Sequence, residues 1–239
     1  NEQNRMDIMT NNLANASTVG YKKEGSTSQS FDDVLTVKIK DQSVGMRNVQ
    51  RLGVKNPGVK IGENYTDYSQ GSFRITGNTY DLALSGEGFF AIEFTNKAGE
   101  TDTKYTRAGQ FTLNKDGYLV TEEGDYVLDT QNRRIRLNTL IDSSITDDGT
   151  IYQNGQAVAK IQVTDFEDYD YLEKYGETYY QPIQGAKTIA AKAQVKSGYL
   201  EMANVQIVSE MVNLISITRA YESNQKVVQT IDDTLDVAV

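Results

Sequence analysis

The chain lacks cysteine, histidine and tryptophan altogether, and only two of its 239 residues are proline. Without cysteine there is no disulfide and no thiolate nucleophile, and without histidine there is no imidazole base. The commonest zinc sites, which are built from these two residue types, are excluded as well. Most familiar catalytic arrangements are therefore missing, and we predict no catalytic residue, no cofactor site, no metal site and no enzyme activity.

A basic surface and a long apolar run are also missing. The formal net charge is −9, so the chain has no excess of cations to neutralise phosphates, and nucleic acid is not expected as a partner. No stretch reaches the roughly 20 consecutive apolar residues that span a bilayer, so we expect no membrane insertion. The start, NEQNRMDIMT, has neither an initiator Met nor a signal pattern, and we expect the numbering to begin inside a longer chain.

The strongest periodic pattern lies in residues 204–235. One apolar position recurs every seven residues, which predicts an amphipathic helix of about 45 Å capped by Asn204. In the first half of this helix, further apolar residues cover about two thirds of the circumference, more than one neighbouring helix can cover. The residues of the seven-residue repeat are Ile207, Leu214, Tyr221, Val228 and Leu235. The ordinary alternative is the last helix of a monomeric bundle.

Few other helices are available to form such a bundle. Residues 1–14 read as a short helix with one apolar stripe, which ends before a turn at Gly20. Residues 21–70 are polar and irregular apart from a strand at Val34–Ile39, and residues 71–200 alternate like short strands between turn signals. The predicted strands there are 72–76, 81–84, 89–94, 110–113, 118–121, 135–137 and 158–164.

These patterns predict a mainly β central domain flanked by N- and C-terminal α-helices, which pack as a coiled coil in an assembly. The expected segments are an N-terminal helical assembly segment (1–20), an extended connector (21–70), the central β domain (71–200) and the C-terminal amphipathic helix (201–239). The long apolar helix has no internal bundle to join, so its natural partners are the N-terminal helix and other subunits.

The acidic residues raise two rival chemistries. The run from Asp165 to Asp170 can supply Ca²⁺ ligands, but it lacks the glycine-centred loop with a terminal bidentate glutamate, so a solvated loop is favoured. A secreted β-rich glycosidase needs two carboxylates about 5–10 Å apart in a cleft. Nothing in the sequence singles out such a pair among 33 acidic residues.

Four blocks of the sequence together resemble the flagellar basal-body rod proteins, in the distal-rod and proximal-rod branch of the flagellar rod and hook proteins. They are NNLANASTVGYKK (11–23), QGSFRITGNTYDLALSGEGFFAI (70–92), YTRAGQFTLNKDGYLV (105–120) and the long block from Gly198 to Leu235. The blocks occur in the family's order along nearly the whole chain.

The resemblance implies a structural subunit of the bacterial flagellar basal body. Such a subunit is exported by the flagellar type III apparatus and polymerises helically, through its terminal helices, into the axial drive shaft that joins motor to hook. Its partners would be copies of itself and neighbouring rod and hook subunits. The implied assembly interface consists of Asn11, Asn12, Leu13, Ala14, Asn15, Ile207, Val208, Met211, Leu214, Ile217, Arg219, Ala220, Tyr221, Val228 and Leu235.

One alternative within the resemblance is a hook subunit or another flagellar axial protein. Hook subunits usually carry a larger or additional outer domain, and this chain has room for only one, which favours the rod. The connector from Tyr21 to Gln70 does not clearly show the insertion typical of the distal rod, so the particular subunit stays open.

Overall fold

The computed structural model describes residues 2–30, 34–39, 49–55, 59–96 and 99–237, and leaves undescribed the side chains of 34–39, 49–55, 59–61, 232 and 235–237. Helix α1 (Glu2–Ala14) and helix α2 (Ile207–Val237) lie near the two ends of the chain, and strands occupy much of the rest. This arrangement confirms the predicted mainly β fold with flanking helices. Neither helix, over its described residues, is long and apolar enough to cross a membrane.

Among the described residues, twenty strands lie between the helices. They are β1 (Glu24–Ser30), β2 (Val34–Ile39), β3 (Val49–Lys55), β4 (Val59–Thr66), β5 (Phe73–Ile75), β6 (Leu82–Ser85), β7 (Phe89–Thr95), β8 (Thr101–Thr106), β9 (Phe111–Leu113), β10 (Leu119–Thr121), β11 (Tyr126–Val127), β12 (Ser143–Ile145), β13 (Thr150–Gln153), β14 (Gln156–Lys160), β15 (Val163–Phe166), β16 (Leu172–Tyr175), β17 (Tyr179–Pro182), β18 (Thr188–Ala190), β19 (Gln194–Ser197) and β20 (Tyr199–Glu201). Between Gly71 and Gly198, the only helical turn among the described residues is a short 3₁₀ turn at Tyr169–Tyr171.

The chain divides into two compact units. The first, here called the terminal unit, contains Asn1–Asn12, Glu24–Asp67 and Val208–Val239. The second, here called the β body, contains Leu13–Lys23 and Tyr68–Ile207. Each unit is built from segments that are distant in the sequence. The four consecutive segments predicted from the sequence describe a different division of the chain, and their boundaries stay a prediction.

The β body is organised around strand β7. Its nine-stranded sheet runs in the order β16-β17-β8-β7-β11-β10-β9, and β15 pairs with both β7 and β18. Successive side chains of a strand point to opposite faces, so Phe89 and Phe90 enter different apolar clusters. Phe90 packs with the cluster that includes Leu82 and Phe111, whereas Phe89 packs with the cluster that includes Tyr105 and Tyr180. Both phenylalanines are fully buried, so β7 holds the two cores together.

Five of the seven strands predicted in this region lie within a residue or two of observed strands, namely β5, β6, β7, β9 and β10, and the other two do not. Residues 135–137 alternate like a strand because Ile135 and Leu137 are buried, but the segment forms one isolated bridge, from Arg136 to Tyr118, and the preceding Arg134 bridges to Leu128. The predicted strand 158–164 is divided into β14 and β15 around Ile161, which bridges to Asp129 instead. In both places the sequence alternates like a strand, but alternation does not encode the pairing partner, and the pairing decides where the strands begin and end.

The connector is more regular than its sequence suggests. The strand predicted at Val34–Ile39 is confirmed as β2, which pairs antiparallel with β3, while β1 pairs antiparallel with β4. The prediction of an otherwise irregular segment is therefore wrong. Strand β1 is EGSTSQS and has no apolar face, so its pairing depends on backbone hydrogen bonds and leaves little signal in the sequence.

The turn after α1 depends on a glycine. Gly20 has a φ of +70°, and its amide donates to the Glu201 backbone oxygen at 2.8 Å. A Cβ at this position would lie 2.2 Å from the Ala108 backbone nitrogen. The backbone therefore needs glycine both for its left-handed conformation and for the close approach to the β body.

We expect Gly20→Ala to destabilise the β body more than Gly124→Ala does. Gly124 also has a positive φ, +96°, but a Cβ added there would have no neighbour within 4 Å, so alanine costs about 1–2 kcal/mol for the backbone conformation alone. Alanine at Gly20 adds a clash with backbone atoms. Urea denaturation followed by tyrosine fluorescence measures the difference, and equal losses in the two variants would contradict the close approach.

Candidate assembly surface and the cluster beside it

Helix α2 exposes a broad apolar face. Among its described side chains, nine large apolar ones are exposed, and Val208 is the most exposed of them at 76%. The set is Ile207, Val208, Met211, Val212, Ile215, Tyr221, Val227, Val228 and Ile231. Because burying one such side chain fully gains about 1.5–3 kcal/mol, this face represents a large unrealised gain in free energy. Exposed apolar surface of this extent is typical of a protein interaction site.

Among the described side chains of α2, only a narrow stripe is covered. Glu210 and Ile217 are buried, with Ile217 5% exposed, and Leu214 is half-buried. At about 100° per residue, Val208 and Ile217 point in directions roughly 180° apart, and Val212 and Ile215 point within about 40° of Val208. These three exposed residues therefore lie opposite the covered stripe. From Arg219 to Thr234, every described side chain is exposed. The helix therefore has far more apolar surface than its own chain covers.

The predicted interface residues of α2 differ in exposure. Ile207, Val208, Met211, Arg219, Ala220, Tyr221 and Val228 are exposed, Leu214 is half-buried and Ile217 is buried. The side chain of Leu235 lies outside the described residues. Val212, Ile215, Val227 and Ile231 share the exposed apolar surface but were left out of the predicted interface. The sequence did contain a signal for Val212 and Ile215, because a helical projection places both among the apolar residues that cover about two thirds of the circumference.

The predicted residues at the N-terminal end are occupied within the chain. Asn12 is buried and pairs with the backbone of Glu24, its Nδ2 donating to the Glu24 oxygen at 2.8 Å and its Oδ1 accepting from the Glu24 amide at 2.9 Å. Asn15 Nδ2 donates to Glu177 Oε2 at 2.8 Å. Asn11 and Leu13 are half-buried, and Ala14 is exposed. The assembly role of these five residues stays a prediction.

A buried charged cluster lies in the β body, and two of its residues are close in sequence to the end of α1 and to the start of α2. The Glu201 carboxylate, 0% exposed, accepts from Lys22 Nζ at 2.6 Å, from Arg107 Nη1 at 3.2 Å and from the Gly71 amide at 3.0 Å. Lys22 Nζ also donates to the Ser69 backbone oxygen at 2.7 Å. We call these five residues the Glu201 cluster. Sequence reasoning missed it, since its members are up to 179 residues apart.

Asn204 belongs beside this cluster and does not cap the helix. Helix α2 begins three residues later, at Ile207, so the N-cap prediction is wrong. The Asn204 Oδ1 atom accepts from the Lys23 amide at 2.7 Å, and its Nδ2 donates to the Ser69 backbone oxygen at 3.2 Å. A carboxamide that both donates and accepts can bridge two chain segments in this way, and the sequence alone did not reveal that competing use.

The acidic run from 165 to 170 forms local contacts. Asp165 is buried and accepts from the Tyr169 hydroxyl at 2.8 Å, and Asp168 Oδ1 accepts from the Asp170 amide at 3.0 Å at the start of the 3₁₀ turn. Within the described part of the chain, no group of three or more acidic, histidine or cysteine side chains is placed to hold a metal ion. The run therefore has the local hydrogen bonding of a structured loop.

Comparison with known proteins identifies the family. Three family models match separate segments: Flagella basal body rod protein (residues 1–22), Flagellar hook protein FlgE/F/G D1 domain (83–155) and Flagellar basal body rod FlgEFG protein C-terminal (196–239). The flagellar basal-body rod protein FlgG of Bacillus subtilis (strain 168) is 33% identical over 258 aligned residues, covering 100% of this chain and 94% of that protein. The chain belongs to the flagellar basal-body rod protein family.

Two relatives from Caulobacter vibrioides are similar to the chain at nearly full length. The rod protein FlgG is 34% identical over 251 residues, covering 98% of this chain and 92% of its own. The rod protein FlgF is 33% identical over 235 residues, covering 98% and 88%. This rod family protein is therefore similar to relatives of both names.

The three matched segments of this rod protein meet at the Glu201 cluster. Lys22 ends the first segment, Arg107 lies in the second and Glu201 lies in the third. Their side chains form the buried triad described above. Each of the three segments that identify the family thus contributes one charged residue to the triad. Both ion pairs of Glu201 join two different segments.

We expect the second half of α2 to exchange its amide hydrogens rapidly in the monomeric rod protein. Its valine, isoleucine and threonine residues are indifferent helix formers, and its side chains have no cover to stabilise the helix. Hydrogen–deuterium exchange read by mass spectrometry should show fast exchange in residues 219–234 and slow exchange in β7. Strong protection from Leu214 to Val228 in a proven monomer would contradict an uncovered helix.

A second prediction concerns Asp125, whose Oδ2 atom accepts from the Tyr179 hydroxyl at 2.9 Å. Burial raises the pKa of the Asp125 carboxyl above its ordinary 3.8, although the hydrogen bond from Tyr179 opposes the shift. The folded state therefore holds the proton more tightly than the unfolded state does, and stability falls as pH rises from 3.8 through the folded pKa.

Asp125→Asn cannot ionise and should retain a hydrogen bond with Tyr179. We expect the variant to match the original protein in thermal stability at about pH 3, and to exceed it at neutral pH. Melting curves at the two pH values measure this difference. A variant that is less stable than the original at neutral pH would show that the ionised carboxylate is the preferred partner of Tyr179.

Proposed function

We propose that this structural subunit of the flagellar basal-body rod polymerises helically through its terminal helices. The resulting assembly is the axial drive shaft that joins motor to hook. The single observation that carries the proposal is the exposed apolar face of α2, with nine large side chains uncovered among the described residues. In the proposed assembly, the apolar face of α2 contacts a different surface on the neighbouring subunit. Such heterologous contacts generate an open helical filament.

The free energy of assembly comes from burying α2. Neighbouring helices cover the face around Val208, and the seam of Ile207, Leu214, Tyr221, Val228 and Leu235 packs as a coiled coil. Met211, Arg219 and Ala220 line the same contact, Ile217 supports it from the covered side of the helix, and Asn11 to Asn15 contribute from the other end of the chain. Each apolar side chain buried adds about 1.5–3 kcal/mol, so a few of them change the association constant by several orders of magnitude.

The remaining parts of the proposal follow from this role. Residues 1–20 and 201–239 form the assembly segments, 21–70 the connector and 71–200 the outer domain. The partners are copies of the same chain, neighbouring rod and hook subunits, and the flagellar type III export apparatus. The family is structural and is not an enzyme class, which supports the further proposal that the protein performs no reaction. The relatives named above are rod proteins, which favours the rod over the hook.

The test is to replace an exposed apolar residue of α2 by a charge. In a strain that lacks the gene, we expect Val208→Asp to leave flagellar assembly halted at the rod, while the original gene restores it. Val208 is 76% exposed, so the isolated variant should fold normally. Electron microscopy of basal bodies and swimming in soft agar measure the outcome.

Asn213→Asp is the matched control, because it adds the same charge at an exposed polar position of the same helix. It should assemble and swim. Normal rods from the Val208 variant would refute the proposal that this face is an interface. Failure of both variants would show sensitivity to charge along the whole helix and would refute the assignment to the apolar face.

A further inference from the structure

We propose that Glu201 is a positioning residue for assembly: its carboxylate clamps together the chain segments that lead from the β body into the terminal unit. The inference rests on the proposed function, because it assigns the clamp a part in presenting α2 to neighbouring subunits. It concerns a contact inside the β body, whereas the proposed interface lies on the surface of α2.

The chain passes from one unit to the other four times, after Asn12, Lys23, Asp67 and Ile207. Three of these passages begin or end at the Glu201 cluster. Lys22 precedes the second, Ser69 and Gly71 follow the third, and Glu201 precedes the fourth. Each of these segments therefore contributes a hydrogen-bonding group to the same small cluster before it leaves the β body.

The hydrogen bonds connect each segment to the others. Glu201 Oε1 accepts both from Lys22 Nζ and from the Gly71 amide, and Lys22 Nζ also donates to Ser69. Asn204 adds a second connection, to Lys23 and Ser69. Val19 and Met202 form a backbone bridge beside it. A change at any one segment is thus transmitted to the other two.

The charges make Glu201 the central member. Two cations, Lys22 and Arg107, share one carboxylate, and all three side chains are almost fully buried. Arg107 also lies against the ring of Phe89, at 5.3 Å from its centroid, which ties the cluster to the core around β7. Apolar residues can often replace a buried ion cluster at little cost in stability, and in some proteins such a cluster serves to select one arrangement of the chain.

The clamp fixes where and in which mutual register the connecting segments leave the β body. Helix α2 begins six residues after Glu201, and α1 ends eight residues before Lys22. Without the carboxylate, the segments lose their shared anchor, while the sheets of the β body keep their own hydrogen bonds. The points at which these segments leave the β body would then vary from one molecule to the next, and this variation would weaken assembly.

The experiment compares Glu201→Gln with Glu167→Gln in the full chain. Glu167 makes a matched but exposed ion pair with Lys187 at 3.3 Å, with side chains 62% and 76% exposed. We expect Glu201→Gln to speed hydrogen exchange at the amides of Lys23 and Gly71 by about tenfold or more, since local opening there becomes easier. The amides of Ala91 and Leu128 in the sheet should keep their rates, and rod assembly should be lost. Glu167→Gln should change neither exchange nor assembly.

A double variant guards against simple unfolding of Glu201→Gln, which leaves two buried cations without an anion. Lys22→Met with Glu201→Gln removes one charge of each sign, so the cluster keeps the same net charge through Arg107. Arg107 stays a buried cation in this variant, but one unpaired cation remains instead of two. We therefore expect the double variant to melt at a higher temperature than Glu201→Gln, without restoring slow exchange at Lys23 and Gly71, and to remain defective in assembly.

Each other outcome would overturn the inference. If Ala91 and Leu128 exchange faster by the same factor as Gly71 in both variants, Glu201 merely holds the β body together. Unchanged exchange at Gly71, or normal rods from the double variant, would show that the clamp is not needed. The proposed function fails separately, through normal rods from Val208→Asp, a change on the α2 surface that leaves the Glu201 cluster intact.

Discussion

The buried carboxylate of Glu201 is the interaction that joins three segments of the β body that lie far apart in the sequence. It joins a lysine from the N-terminal segment, an arginine that directly follows β8 and a backbone amide that precedes β5. Removing one partner from such a cluster leaves an uncompensated buried charge, which typically costs about 3–5 kcal/mol. The charges of the cluster are therefore balanced only when all three segments have folded into place in the β body.

The two units use apolar surface in opposite ways. The β body buries four phenylalanines and many aliphatic residues in two clusters on either side of β7, as a stable domain must. Helix α2 instead leaves most of its large apolar side chains exposed. For a member of a rod protein family this difference has a simple reason: a subunit must fold before it meets its neighbours, yet must keep enough uncovered apolar surface to bind them.

Sequence patterns located the elements better than their pairings. The apolar repeat of α2, the stripe of α1 and strand β2 were predicted at nearly their observed positions, because each depends on local periodicity. The polar strand β1 and the short bridging segment at 135–137 were not, because their pairing is decided by distant partners. Asn204 shows the same limit at a single residue. Its side chain is of a type that often caps helices, but in the folded chain the carboxamide bonds the Lys23 amide and the Ser69 backbone oxygen instead.

The sequence by itself determined the class of the protein and the surface by which it is proposed to assemble. Three features carry this inference: the absence of cysteine and histidine, the long apolar helix and the order of the four blocks. All three are matters of composition and local spacing, so they can be recognised without a folded structure. Only the tertiary structure decided that Lys22, Arg107 and Glu201 meet, and which side of α2 is covered. Ion pairing and burial depend on distances in space between residues far apart in the chain, and folding alone fixes those distances.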